Sequence, residues 1–207
     1  LRRFRFTLLA VCLFLVFLGV VDLRLRLANP APAPVTIVDL ETAGPPREWL
    51  QIQGGILNLE DAISTSGTVE LDALLVPLTA DSAQTRYHVL VETRDPGLIK
   101  LFLTYNFQLD TLPEKERYLA EHKAEFHPHR TIEGMLITGW IASGNRDKLF
   151  KLAGSVGMDI APEVIFVSEG KVPGKWRGIF YLAAGLLGLG RIFYSWRRSA
   201  MPTINPN

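Results

Sequence analysis

The stretch WRGIFYLAAGLLGLGRIFYSW, residues 176–196, decides how this chain is built. As a helix it would rise about 31 Å, close to the thickness of a hydrocarbon core. Trp176 and Trp196 bracket it, with Tyr181 and Tyr194 close by, as aromatic belts do at the two membrane interfaces. Arg177, Arg191 and Arg197 sit at or near its ends, within reach of headgroups; burial in a soluble core would demand a partner for each of them. These features predict a membrane helix over 176–196 and a polar tail over 197–207.

A second oily run lies far upstream. From Phe6 to Val21 there is no charge, and Leu23, Leu25 and Leu27 extend the apolar side while Arg24 and Arg26 can snorkel. The predicted helix covers residues 4–27. Arg2, Arg3 and Arg5 resemble the start of a signal peptide, but the run is long for one, so an uncleaved anchor is expected. Counting basic residues on each side slightly favours both termini in the cytoplasm and the intervening domain outside.

The net charge of +1 conceals two opposite contributions. Residues 35–175 hold 13 Lys and Arg against 20 Asp and Glu, whereas the flanks hold nine basic residues and a single acid, Asp22. An acidic middle repels phosphate backbones, so nucleic acid is not an expected partner; basic flanks beside oily helices suit a lipid bilayer. With one cysteine, Cys12, an intrachain disulfide and a cysteine-based metal site are both excluded.

Between the helices, Ala28 to Pro34 alternates proline with small residues and reads as an extended linker. Period-two alternation then recurs at Leu50–Leu59, with Gly54–Gly55 allowing a bulge, and again at Val69–Leu75 and Tyr87–Val91, with Asp95–Pro96–Gly97 as a turn. Residues 132–141 and 164–168 are further strand candidates. Thr111 followed by Glu114 predicts a capping box and a helix to about Phe126, with Leu112, Leu119 and Phe126 on one stripe. A second helix is expected over 145–155, turning Leu149, Phe150, Leu152 and Ala153 to the sheet. The expected fold class is α+β: two transmembrane helices flanking a small antiparallel sheet or barrel-like domain, residues 35–175, with two helices.

Chemistry-bearing patterns are sparse. His122, His127 and His129 with Glu121 and Glu125 have no recognised ligand spacing and read as a solvated helix end, so no metal is expected. Ser64–Thr65–Ser66–Gly67 lacks a nucleophile-elbow frame, and Cys12 is placed in mid-membrane, where a thiolate is disfavoured. No catalytic residue and no cofactor are expected. The second membrane helix instead carries small residues, Ala184, Gly185 and Gly188, beside Tyr181, a face that admits another helix closely. Arg24, Arg26, Trp176, Arg177, Arg191, Trp196 and Arg197 are the expected interface anchors. Together these features lead to a non-catalytic accessory or assembly subunit of a larger membrane complex, respiratory, photosynthetic or secretory. Its partners would be other membrane subunits; the alternative is a membrane-tethered sensor or ligand-binding domain.

Overall fold

A computed structural model describes residues 2–64, 72–137 and 140–200, with side chains placed over 6–64, 72–137 and 147–196. The chain divides into two compact units: Leu1–Pro30 with Pro173–Asn207, and Ala31–Val172.

The first unit begins with α1 (Arg2–Ala28), whose last turn is closed by Asn29, its backbone N–H and side-chain amide both donating to the Leu25 carbonyl. The second unit starts at β1 (Ala33–Thr36), which pairs in parallel with β2 (Trp49–Leu57). The expected linker is therefore shorter than its prolines suggest, because Ala33 and Pro34 already belong to a sheet edge, where a missing N–H is tolerated. Between them lies α2 (Ile37–Ala43), capped by Thr36 accepting from the Asp39 N–H. After β2 follow β3 (Ile63–Ser64), β4 (Leu74–Thr79) and β5 (Tyr87–Thr93). Then come α3 (Pro96–Leu103), running into a single π-turn at Thr104–Gln108, α4 (Leu112–Glu121) and α5 (Lys123–Phe126). The unit ends with β6 (His129–Leu136), α6 (Trp140–Ser155) and β7 (Ile160–Glu169). The chain then returns to the first unit as α7 (Arg177–Ala200).

Five of the strands close a barrel in the order β2–β6–β7–β5–β4 and back to β2, with β1 and β3 appended. Closure depends on the bulge. The β2–β6 register shifts between Ile52 and Gly55, and Gly54 takes a φ of +75°, which turns Ile56 and Leu57 onto β4. A side chain at Gly55 would place its Cβ 2.6 Å from the Leu78 side chain, which would have to shift to admit it. The barrel is not wholly antiparallel as expected: β5 and β7 run parallel, because the helical crossover and β6 intervene between them.

Inside the barrel, Leu50, Ile52, Leu57, Val76, Val89 and Ile132 are fully buried, and Leu98, Phe102 and Phe126 from the helices join the same cluster. On the outer face, Leu75, Leu90 and Phe166 pack with Ala153, Leu149 and Leu152 of α6. Phe150, expected on that face, is instead exposed.

Some local expectations change. Asp95–Pro96–Gly97 starts a helix: Asp95 accepts from the Gly97 and Leu98 N–H groups and Pro96 occupies the first turn, where its missing donor is harmless. Trp140 and Ile141 lie in α6, so β6 stops at Leu136. Of the expected strand Val69–Leu75, Val69 and Leu71 fall outside the described residues, and Leu74 and Leu75 lie in β4. The capping box stands as expected, Thr111 and Glu114 bonding each other's backbone N–H, but the helix breaks at His122 and Leu112 is exposed.

Candidate functional site

In the first unit α1 and α7 lie antiparallel along a seam of small residues. A Cβ added to Gly188 would strike Cys12 Sγ; at Gly185 it would lie 2.7 Å from Val16 Cγ2, and at Gly178 2.9 Å from Asp22 Cβ. Gly19 of α1 reciprocates, with a Cβ there 2.6 Å from the Leu182 backbone N. Cys12 and Gly19 are seven apart, as are Gly178, Gly185 and the buried Ile192, the repeat that keeps one stripe of each helix facing the other. Ala184 and Tyr181 are half-buried on the same helix. The glycine face of residues 176–196, expected against a helix of another subunit, carries the chain's own α1.

At one end of the seam Arg177 grips Asp22 bidentately, Nε donating to Oδ2 at 2.6 Å and Nη2 to Oδ1 at 2.9 Å. Gly178 makes room for this approach. Arg177, expected to reach headgroups, is thus engaged between helices, and the single acid of the flanks has its counter-ion. Arg24, Trp176, Arg191 and Trp196 are exposed and Arg26 is half-buried; Arg197 lies on α7 with its side chain outside the described residues. α1 and α7 are long and apolar enough to cross a membrane, over Phe6–Ala28 and Arg177–Trp196. Phe14, Phe17, Phe180 and Leu187 stand out from the hairpin.

In the barrel unit His122 and His127 take different carboxylate partners, while His127 and His129 line one cleft. His122 Nδ1 lies 3.0 Å from Glu125, and His127 Nε2 lies 2.8 Å from Glu60, whose loop follows β2. Among the described residues no three His, Cys, Asp or Glu converge as metal ligands.

Two polar clusters come from distant parts of the chain. The Tyr87 hydroxyl donates to Asp61, and the Asn58 amide donates to both Asp61 and Tyr87. Burial, reinforced by the Asp61 carboxylate, pushes the Tyr87 phenol up to about 12, so it stays protonated and acts as a fixed donor. The second cluster is Arg130, donating to Asp95 from Nη1 and to both Glu169 oxygens from Nη2. The Arg130 hydrogen bond holds the Asp95 carboxyl below its ordinary value, with the helix-capping N–H groups adding to it. Each cluster ties together loops or strand ends through hydrogen bonds within the fold, although Arg130 Nε is buried without a partner among the described residues. Sequence reasoning missed both, since Tyr87 meets Asp61 across 26 residues and Arg130 meets Asp95 and Glu169 across 35 and 39, and no local pattern marks these pairs.

No family model, no curated protein and no solved structure matches this chain.

Proposed function

We propose that the chain is a non-catalytic, membrane-anchored accessory or assembly subunit of a larger membrane complex, of the respiratory, photosynthetic or secretory kind. The observation that carries this reading is the filled barrel. Its interior is occupied by the chain's own aliphatic side chains, which leaves the outer surface of the domain for contact with others. The antiparallel packing of α1 and α7 supports both ends of the chain emerging on one side, taken here as the cytoplasm, with the domain on the other side. Purification in mild detergent is expected to bring down stoichiometric membrane subunits; a chain that purifies alone under conditions preserving other membrane complexes would overturn the proposal.

One observation favours the alternative of a tethered ligand-binding domain: an open cleft of about 400 Å³ outside the barrel, lined by Asp61, Tyr87, Met158 and Asp159. Tyr87 and Asp61, two of its polar groups, are already bonded to each other, and for that reason the accessory reading is preferred.

A further inference from the structure

The end of the hairpin marked by Asp22 and Arg177 gathers four cations. Arg24 and Arg26 follow Asp22 on α1, and Lys175 precedes Arg177 at the start of α7. Asp22 neutralises Arg177 alone. Arg24 and Lys175 are exposed, Arg26 is half-buried, and among the described residues none of the three has a carboxylate within ion-pairing distance. Two residues apart on a helix, Arg24 and Arg26 point about 200° from each other, so they reach opposite flanks of α1. Trp176, 76% exposed, and Leu27, 73% exposed, add bare apolar surface at the same end.

Charge and oil side by side at one level are the two halves of a phospholipid. We propose that this end of the hairpin binds anionic phospholipid, its headgroup phosphates taken by Arg24, Arg26 and Lys175 and its glycerol and acyl region by Trp176 and Leu27. Arg177 has no part in this; its fork is filled by Asp22. A free phosphate would leave Trp176 and Leu27 without a purpose, which is why a lipid is the occupant. The inference rests on α1 and α7 spanning a bilayer.

The test uses the full chain in nanodiscs of phosphatidylcholine containing about one-third phosphatidylglycerol, followed by gentle detergent extraction and native mass spectrometry of the lipids retained. The wild type is expected to keep phosphatidylglycerol in clear excess over its share of the bilayer, and to lose that excess as salt is raised. In the triple variant R24Q/R26Q/K175Q the preference should fall about 100-fold, roughly five-fold per side chain, which corresponds to ~1 kcal/mol each. The variant R24K/R26K, keeping the charge, should retain it. Unchanged melting of the barrel shows that the triple variant is folded. Lipid retained in the bilayer's own ratio by the wild type, no loss in the triple variant, or displacement by inorganic phosphate would each overturn the proposal. Failure of the wild type to enter the discs at all would overturn the membrane reading beneath it.

Discussion

Arg130 is a single side chain holding two acidic neighbours from different parts of the fold, Asp95 at the start of α3 and Glu169 at the end of β7. With Arg130→Ala both half-buried carboxylates lose their cation, and a destabilisation of about 2 kcal/mol is expected, below the cost of breaking a fully buried pair because all three groups keep some water. Urea melts of the detergent-solubilised chain measure it. Tyr87 makes a prediction about pH. Its phenol rises from 10.0 to about 12 on folding, so its contribution is complete below pH 10 and is lost as pH rises through about 12, because the unfolded chain ionises first. Tyr87→Phe should cost about 1 kcal/mol at neutral pH by leaving Asp61 and Asn58 short of a partner. The variant should also lack the alkaline fall in stability between those values; an unchanged fall would place its origin elsewhere.

Among the elements, the helix pair makes the sharpest prediction, because its glycines are not equivalent. A Cβ at Gly185 meets Val16 and the Cys12 carbonyl, whereas one at Gly190 meets nothing within 4 Å. Gly185→Leu should therefore push α1 away from α7 while Gly190→Leu is tolerated, although both changes favour a membrane helix equally. Cys12, buried in the seam, reports the difference: a lipid-soluble maleimide should label it several times faster in the first variant than in the second or the wild type. Elements with their own local physics were legible in the sequence: both apolar helices, the Gly54–Gly55 bulge and the Thr111–Glu114 capping box. Others were ambiguous on physical grounds. Asp-Pro-Gly serves a turn or a helix start equally well, and only the packing of Leu98 and Phe102 against the barrel decides for α3. Val35, Ile37 and Val38 look like a strand by branching, yet the Thr36 cap and the burial of Ile37 and Leu40 make residues 37–43 helical. The small residues of α7 were legible as a packing face, but nothing in the spacing said that the partner would be the helix opening the same chain.

For the whole molecule, the proposed topology is tested by exposing it from one side. Alkaline carbonate should leave the chain in the membrane pellet, and protease added to cells stripped of their outer barrier should cut within residues 35–175; protection of that region until lysis would reverse the orientation. The connection between α1 and α7 also has a consequence in time. Asp22 and Arg177 are 155 residues apart, with the entire barrel between them. At a synthesis rate of roughly 5–20 residues per second, about 8–30 s separate the emergence of the acid from that of its cation. On the proposed topology, α1 would spend that interval at the bilayer with an uncompensated carboxylate and an open groove at Gly19, while the domain is still being made and moved across. On that topology a chain stalled before Arg177 would be a half-built hairpin, recognisable by its bare Asp22, and rare codons in the barrel would lengthen the wait during which membrane quality control can remove it.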